Sequence, residues 1–449
     1  MQGNSTVLYP VDPERQTSGS YLSTLLPRQW KSEFRVRPWP PSNHHSPPPP
    51  PPAPTTVIDL GDDLLREIFL RLPSLPSLVR AALSCRTFLN AVRSSPVFRR
   101  SFRAAHPPPL LGFFFDPDGP AIPAFAPVRR RSDPDSAAAV RGADFFFTRL
   151  PDDDNASPGW LVCDCQGGHV LLCNRRTGQF AAYNPLTGAL DLIPPTPNEF
   201  FDDGHGLTSH LDCFILASEE GDGPFRLVTI CHDESRVRAS VFSSDSREWR
   251  ILPWSEAVEP LPEDEHWLKV GTMVNGSIYW IQANEAGLLV LNTATLQFSQ
   301  MDLPPFLEGK THLVWPGMAK DGRLCIVCPV DFGIHVWFWR ADEKGFERWM
   351  LDKKFQLELK SIVEATGRSL EDVELHIVDT VDGFVYFSTG ETFHNVHAPS
   401  WFLSLCMETA KLDKLFEKRC DSHVRPYIMA WPPSLVNNKL CPLLEGEGA

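Results

Sequence analysis

Residues 57–103 read VIDLGDDLLREIFLRLPSLPSLVRAALSCRTFLNAVRSSPVFRRSFR, a helical pattern divided by prolines. Two acidic residues, Asp62 and Asp63, stand where the N-terminus of a helix favours carboxylates. The apolar residues that follow recur one and four positions apart, which predicts a single helical face: Leu64, Leu65, Ile68, Phe69 and Leu72. Pro73 ends this helix, because proline lacks the N–H group and disfavours helix at the preceding residue.

Three more short helices are predicted in the same stretch. Pro76 can begin the second helix, because proline suits the first helical position. The third runs from about Arg86 to Arg93 and is closed by Pro96, and Phe98 and Phe102 line the fourth. A helical unit of fewer than about 50 residues is marginal alone. We therefore expect this module to dock onto a partner or onto the next domain.

This stretch resembles an F-box, the motif that joins a receptor subunit to a cullin-based ubiquitin ligase through a small Skp-family adaptor. The resemblance is carried by Leu60, Asp62, Asp63, Leu64, Leu65, Ile68, Arg71, Leu72, Pro73, Leu78, Arg80, Cys85 and Phe88. The family usually has proline at the position of Gly61 and tryptophan at that of Phe88. It implies that the adaptor is bound by Leu60, Gly61, Leu64, Leu65, Ile68, Leu72 and Leu78. An ordinary helical bundle is the alternative.

Composition limits the classes of function. The chain has 449 residues, enough for two or three domains, and its net charge of −14 argues against nucleic acid as a main ligand. No apolar run reaches the ~18 residues that a membrane span needs, and no signal peptide is recognisable. The 11 scattered cysteines favour a reducing compartment, so we expect a protein of the cytoplasm or nucleus.

The N-terminal segment has a different composition from the rest. Residues 1–56 mix polar residues, arginines and prolines without any period, and they include an unbroken proline run from Pro47 to Pro52. Such runs favour the extended polyproline helix, so we expect a disordered, Pro-rich spacer or a ligand for an aromatic groove. Residues 441–449 are predicted to be a C-terminal tail.

Beyond the F-box-like stretch the periodicity is that of strands. Leu110–Phe115 and Phe145–Phe147 are apolar runs that predict buried strands. From Gly159 onward, short strands alternate with turn signals. One helical stretch is predicted, near Leu357–Ala365.

Internal repeats indicate the architecture of this second part. Gly159–Pro195 and Val270–Pro305 share one order: strand, tight turn, strand, then an Asn-x-x-Thr turn and a Pro-Pro ending. Weaker copies give five units with a period of about 45 to 55 residues, the range of propeller blades. Strands within residues 110–150 would add a sixth. Closing the ring would bring Tyr427–Trp431 beside the first blade.

The predicted fold is therefore α+β and multidomain. A small all-α F-box module, residues 57–103, precedes an all-β, kelch-like propeller of about five or six blades, residues 104–440. The repeat pattern also resembles the β-propeller-like F-box-associated domains of plant F-box proteins.

The sequence contains only weak signals for catalysis or cofactor binding. Cys325 and Cys328 form a C-x-x-C and Cys163 and Cys165 a C-x-C, but a zinc site needs two further ligands. We interpret each pair as lying on one face of a strand. No hydrolase, phosphate-loop or dinucleotide motif is present. We expect no cofactor, no metal and no enzymatic activity.

The resemblances imply a substrate receptor that binds a Skp-family adaptor and, through it, a cullin. The target protein, whose identity the sequence does not reveal, would bind loops at one mouth of the propeller. Candidate exposed aromatic residues are His205, Trp254, His266, Trp267 and Trp315. One alternative is a propeller scaffold without a ligase role. A less favoured one is a carbohydrate-active enzyme, which would need an acidic cluster in the central channel.

Overall fold

The structure is a computed structural model. It describes residues 60–106, 108–115, 123–128, 134–151, 159–201, 209–217, 224–233, 236–256, 271–282, 287–304, 307, 313–342, 344–358, 373–391, 400–418, 424–432 and 435–436. The predicted disorder over residues 1–56 and the predicted tail, 441–449, lie outside these ranges. So does most of the helix predicted at 357–365, whose first two residues are not helical.

Four short helices form the N-terminal module, as predicted. They are α1 (Asp62–Leu70), α2 (Leu75–Ala82), α3 (Arg86–Arg93) and α4 (Pro96–Ala105). Ser74 and Ser95 cap α2 and α4 by accepting hydrogen bonds from the backbone N–H groups of Ser77 and Phe98, at 3.4 and 3.1 Å. Pro96 is the first residue of α4 and Pro76 is the second residue of α2, so both stand in the first turn of a helix, where the missing N–H of proline costs nothing.

The rest of the described chain is mostly strand. The elements before the repeats are β1 (Leu110–Phe115), β2 (Ala124–Pro127) and α5 (Pro134–Gly142). The first blade holds β3 (Trp160–Gln166), β4 (His169–Asn174), β5 (Phe180–Asn184) and β6 (Ala189–Ile193). A short 3-10 helix, Asn198–Phe200, leads to the second blade, which holds β7 (Ser209–Leu216), β8 (Arg226–His232), β9 (Arg236–Ser243), β10 (Glu248–Ile251) and β11 (Ser255–Glu256).

The remaining strands complete the repeats. The third blade holds β12 (Thr272–Val274), β13 (Ser277–Ile281), β14 (Leu288–Asn292) and β15 (Gln297–Met301). The fourth holds β16 (Trp315–Met318), β17 (Leu324–Val330), β18 (Gly333–Ala341) and β19 (Glu347–Gln356). The fifth holds β20 (Val373–Val381), β21 (Phe384–Glu391), β22 (Ser400–Cys406) and β23 (Leu412–Lys418), and β24 (Val424–Ile428) follows.

Within the described ranges these strands form six antiparallel sheets, one for each blade of a propeller. The first five are consecutive meanders, and their hairpins follow from local sequence. Asn275-Gly276 and Asp382-Gly383 have positive φ at both residues, which suits the tight turns between the first two strands of a blade. The Asn292 side chain accepts hydrogen bonds from the N–H groups of residues 294 and 295 and so shapes the later turn.

The sixth blade closes the ring by joining both ends of the propeller. β24 pairs with β1, and β1 pairs with β2, so the inner strand comes from the C-terminal side and the outer two from the N-terminal side. The Tyr427 hydroxyl donates to the Gly168 carbonyl of the first blade at 2.9 Å. The predicted closure of the ring and the predicted strand Leu110–Phe115 are both confirmed.

The helical module packs on the propeller through a shared hydrophobic core. One cluster of buried side chains includes Leu65 and Phe102 of the helices together with Phe114, Tyr427 and Trp431 of the propeller. The Phe102 and Trp431 rings meet edge to face, with centroids 6.0 Å apart. The predicted docking therefore takes place on the next domain of the same chain.

The segment after β2 departs from the prediction. Phe145–Phe147 is a turn and not a strand: Phe145 and Phe147 are buried, Phe146 is 80% exposed, and Phe147 has a φ of 54°. The Asp144 carboxylate holds this turn by accepting from the N–H groups of Phe146 and Thr148. The helix α5 just before it was not predicted, and its Asp135 pairs with Arg80 of α2 at 2.8 Å.

The cysteine pairs also differ from the prediction that each lies on one strand face. Cys325 and Cys328 are both buried in β17, but they belong to different core clusters on its two sides. Side chains alternate along a strand, so a separation of three residues places them on opposite faces. A β-bulge beside Cys163 likewise directs it and Cys165 to different clusters.

Candidate adaptor-binding face and central channel

Helix α1 carries apolar residues on two sides instead of the one predicted face. Leu65 and Phe69 point into the core of the module. Leu64 and Ile68, one turn apart, are 57% and 45% exposed. Leu83 and Val97 are the other large hydrophobic side chains of the module that the structure leaves exposed. Exposed apolar residues on a small module that is otherwise well packed indicate a binding face.

The structure separates the seven residues predicted to bind an adaptor. Leu65 and Leu78 have no exposed surface and hold the helices together, so the prediction that they contact the adaptor directly is replaced by a core role. Leu60 and Leu72 are partly buried and pack against the same core. Gly61, Leu64 and Ile68 are exposed.

The exposed end of α1 is held in place by Arg66. Its Nε donates to the carbonyl of Ala91 in α3 at 3.0 Å, and its guanidinium pairs with Asp62 and Asp63 at 3.0 and 2.9 Å. The acidic residues predicted to favour the helix start therefore also connect α1 to α3 through Arg66. This connection fixes the orientation of Leu64 and Ile68 relative to the rest of the module.

The two departures from the usual F-box residues fit the local geometry. Gly61 has φ −63° and ψ 154°, values that proline also adopts, and a Cβ added to it would meet nothing within 4 Å. Phe88 packs edge to face against Phe69, with ring centroids 5.3 Å apart. An aromatic side chain therefore occupies the position that tryptophan has in the family.

We expect Gly61→Pro to stabilise the chain by about 0.5 to 1 kcal/mol. The native backbone already suits proline, so the substitution reduces mainly the conformational entropy of the unfolded chain. Unfolding in urea would measure the gain. Gly322→Pro is a suitable contrast, because Gly322 has a φ of 81° that proline cannot adopt, and that variant should be destabilised. A loss of stability in Gly61→Pro would contradict the expectation.

A cavity of about 460 Å³ lies along the central channel of the propeller. Its wall includes residues of the inner strands, such as Asp164, Asp379 and Arg425. Phe102 of α4 and His106, which directly follows α4, also line it. The helices therefore form part of the wall at the mouth where β3 and β24 end. The wall of the channel is mixed, with much apolar surface, and the acidic residues that the carbohydrate-active hypothesis required are present in it.

Aspartates follow β-bulges in the inner strands of three blades, at Asp164, Asp212 and Asp379. The Asp164 carboxylate accepts from the N–H of Ile215 in the second blade at 3.0 Å. The Asp212 carboxylate accepts from the backbone N–H of Gly271, just before the third blade, at 2.8 Å. It also accepts from the indole N–H of Trp280, in the third blade, at 2.9 Å. These two carboxylates thus join neighbouring blades, which is a structural role.

These aspartates were not among the predicted site residues, although the repeats contain a signal for them. Val162-Cys163-Asp164-Cys165, Leu211-Asp212-Cys213 and Val378-Asp379-Thr380 each place Asp between an apolar or Cys residue and a Cys or Thr. An alignment of the repeats on this short pattern would have placed all three in one position of the blade. The β-bulge that precedes each of these aspartates could not be predicted from the sequence.

The charges in the channel affect one another. Burial raises the pKa of Asp164 and of Asp379 to about 6, although Arg425 and backbone N–H donors act in the opposite direction. For Arg425, burial lowers the pKa, but Asp212, Asp164 and Asp379 outweigh this effect and raise it. The guanidinium of Arg425 is therefore the countercharge of an acidic channel.

These pKa shifts predict that the two carboxyl groups reduce stability as the pH rises from about 4 to about 6. Asp164 and Asp379 have an ordinary pKa of 3.8, so the folded chain binds their protons more tightly than the unfolded chain does. Asp144 and Asp321 have lowered pKa values and act in the opposite sense, below about pH 4.

The test compares wild type with Asp164→Asn by urea unfolding at pH 4, 5, 6 and 7. As the pH rises from about 4 to about 6, wild type should lose unfolding free energy relative to Asp164→Asn, because the variant has no carboxyl group at this position. A difference that is independent of pH would contradict the assignment of Asp164.

The remaining predicted residues fall in several places. Trp315 is half-buried and lines the channel cavity, and Trp254 is half-buried with its ring beneath Arg236 and Arg238. His205, His266 and Trp267 lie outside the described residues. Among those that are described, no His, Cys, Asp and Glu side chains form a group of three or more that could hold a metal ion. Within the same ranges, no helix has the length and apolarity needed to cross a membrane.

Comparison with solved structures returns distant similarities. A functionally unknown protein from Desulfotomaculum acetoxidans is 11% identical, with 57% of this chain and 69% of that chain covered and a TM-score of 0.33. A protein from Lactobacillus plantarum is 13% identical, with 58% and 71% covered and a TM-score of 0.30. The nidogen/laminin complex gives 13% identity, 60% and 84% coverage and a TM-score of 0.31. No curated protein matches the chain.

Family models match both parts of the chain. The F-box domain matches residues 57–100. The β-propeller of F-box proteins described as AT5G49610-like matches residues 161–435, which is more than half of the chain. The two matches correspond to the helical module and to the blades. The chain therefore belongs to the family of F-box proteins with an AT5G49610-like β-propeller.

Proposed function

We propose that this chain is the substrate-recognition subunit of a Skp-cullin-F-box ubiquitin ligase. The observation that carries the proposal is the exposure of Leu64 and Ile68 on a module that matches the F-box model. Buried apolar anchors commonly supply most of the energy of a protein interface. A Skp-family adaptor would cover Leu64, Ile68 and Gly61, with Leu60 and Leu72 at the edge of the contact.

The proposed role is non-catalytic. The receptor holds a target near the ubiquitin-loaded enzyme and raises its effective concentration there. The shared core between the helices and the propeller supports this role, because it holds the adaptor-binding and target-binding parts in one arrangement. The proposed location is the cytoplasm, the nucleus or both.

Target binding is proposed for the mouth of the propeller opposite the helices. The described inner strands β3 and β24 end at the mouth that the helices line, and in the sequence the inner strands of later blades are preceded by residues 194–208, 257–271, 302–314 and 357–372. His205, His266 and Trp267 belong to these stretches of sequence. Loops carried by a rigid scaffold are common binding sites.

Titration of the purified chain with a Skp-family adaptor tests the proposal. Saturable binding at one adaptor per chain is expected. If the folded chain fails to bind, the alternative takes its place: a propeller scaffold without a ligase role.

The channel aspartates do not lead us to propose a carbohydrate-active enzyme. Glycosidases use a pair of carboxyl groups, one as an acid and the other as a base or nucleophile. Here the carboxylates of Asp164 and Asp212 already accept hydrogen bonds from the next blade. Their geometry supports a structural role better than a catalytic one.

A further inference from the structure

Lysine and arginine are separated along the chain. Residues 32–268 contain 22 arginines and no lysine, whereas residues 269–449 contain 11 lysines and 6 arginines. The lysine-free segment, residues 32–268, includes the helical module and the first two blades. A general preference for arginine would act on the whole chain, so it does not explain why the distribution changes in the middle of the propeller.

In the structure, the described lysines all belong to the fourth and fifth blades. They are Lys320, Lys344, Lys353, Lys354, Lys411, Lys414 and Lys418. The helical module shares its core with side chains of the first and sixth blades, and the described residues of those two blades contain no lysine. The module and the two blades on which it packs therefore carry arginine as their basic residue.

Three of these lysines lie in turns on the side of the propeller where the helices dock. The inner strand β3 ends at that side, so in each meander the turns after the first and the third strand face it. Lys320 lies in the turn after β16, Lys344 in the turn after β18 and Lys411 in the turn after β22. All three side chains are exposed, that of Lys320 by 43% and that of Lys411 by 69%.

The surroundings of these three lysines leave their amines accessible. Lys320 pairs with Glu408 at 3.0 Å and Lys411 with Asp413 at 2.9 Å, and exposed ion pairs of this kind are weak and break readily. Lys353 differs, because it is partly buried and its Nζ donates to the carbonyl of Met407 at 2.7 Å. The turn lysines are therefore the better candidates for chemical modification.

The two kinds of basic residue differ in a reaction that the proposed function brings to the chain. Ubiquitin is carried as a thioester on a cysteine of the conjugating enzyme, and a deprotonated lysine amine attacks the thioester carbonyl. A C–N bond forms, the C–S bond breaks, and the amine loses a proton as the thiol is released. The guanidinium of arginine stays protonated in proteins, so it supplies the same charge without being an acceptor.

We propose that the chain is itself ubiquitylated in the assembled ligase, at Lys320, Lys344 and Lys411, and that the lysine-free segment restricts the modification to this part of the propeller. The inference rests on the proposed function, because the ligase is what brings the ubiquitin thioester to the chain. A receptor stays bound while targets exchange, so its own lysines within reach are present at high effective concentration. The helical module has no lysine and offers no side-chain amine for the transfer.

The test uses a ligase reconstituted from the full chain, a Skp-family adaptor, a cullin with its catalytic partner, the activating and conjugating enzymes, ubiquitin and ATP, without any target protein. Mass spectrometry of tryptic peptides locates the Gly-Gly remnant that ubiquitin leaves on a lysine. We expect the remnant on Lys320, Lys344 and Lys411. The triple variant Lys320→Arg, Lys344→Arg, Lys411→Arg should lower the initial rate of self-ubiquitylation at least about fivefold, because arginine is not an acceptor.

Two further variants are matched to the triple variant. Lys353→Arg, Lys354→Arg, Lys414→Arg removes the same number of lysines from strands of the same two blades, and it should keep the wild-type rate. Arg100→Lys keeps the charge of an exposed residue of α4 and supplies the amine that the module lacks. We expect a new remnant at position 100.

Several results would overturn the inference. Remnants found mainly on lysines outside the described residues would contradict the assigned acceptors, and so would a triple variant that is modified at the wild-type rate. If Arg100→Lys gains no remnant, the lack of lysine is not what limits modification of the module. Titration with the adaptor separates these results from a failure of the proposed function. A wild-type chain that binds the adaptor and is not ubiquitylated keeps its proposed function and loses this inference, whereas a chain that fails to bind the adaptor loses both.

Discussion

The double substitution Leu64→Asp, Ile68→Asp should abolish binding of a Skp-family adaptor while the chain stays folded. Both side chains are exposed, so carboxylates at these positions remain hydrated in the unbound chain. In a complex they would be buried without partners, and each would cost several kcal/mol. The affinity should therefore fall about 100-fold or more. Calorimetric titration with the adaptor would measure the loss.

The control for this variant is Phe346→Asp, which also replaces an exposed apolar side chain, here beside β19 of the fourth blade. It should bind the adaptor as wild type does. Thermal unfolding of both variants should match wild type, because all three replaced residues are exposed and none belongs to a buried core cluster. If Phe346→Asp weakens binding as much as the double variant, α1 does not carry the contact.

Much of the fold was predictable because the propeller repeats its local signals. The predicted order of the repeat Val270–Pro305 is present in the structure, where β12, the Asn275-Gly276 turn and β13 follow one another. Such turns depend only on a few neighbouring residues, because an Asn-Gly or Asp-Gly pair readily adopts the positive φ that a tight hairpin turn needs. The helix boundaries near Pro73, Pro76 and Pro96 were predictable for the same reason.

Features that depend on distant residues were not predictable. Phe145–Phe147 is as apolar as a buried strand, and only its neighbours in space, together with the Asp144 carboxylate, make it a turn. The helix period placed Leu64 and Leu65 on one face, but it did not show which would point inward. Arg425 gave no local signal, because its carboxylate neighbours come from blades far away in the sequence.

The closing strands of the ring provide the second large expected effect, from Phe114→Ala. Phe114 is fully buried in β1, opposite Arg425 of β24 and Phe125 of β2. Its ring stacks on that of Phe147 with centroids 5.3 Å apart and meets that of Tyr427 edge to face at 5.8 Å. Truncating a buried Phe to Ala typically costs about 3 to 5 kcal/mol, because the site collapses only partly.

The location of Phe114 makes its loss more harmful than a similar loss within one meander. β1 and β24 are separated by more than 300 residues, so their pairing is supported by few local contacts and depends on side-chain packing. Phe114 also belongs to the core that the propeller shares with the helical module. We therefore expect Phe114→Ala to lower Tm by about 5 °C and to increase proteolysis near both ends of the propeller.

Phe146→Ala is the matched control, since it removes the same side chain at an exposed position of the neighbouring segment. Its unfolding free energy should stay within about 0.5 kcal/mol of wild type. Urea unfolding of Phe114→Ala and Phe146→Ala under the same conditions would compare their unfolding free energies. Equal destabilisation would mean that the Phe-rich segments do not hold the ring closed, and stability would then have to come from the other five blades.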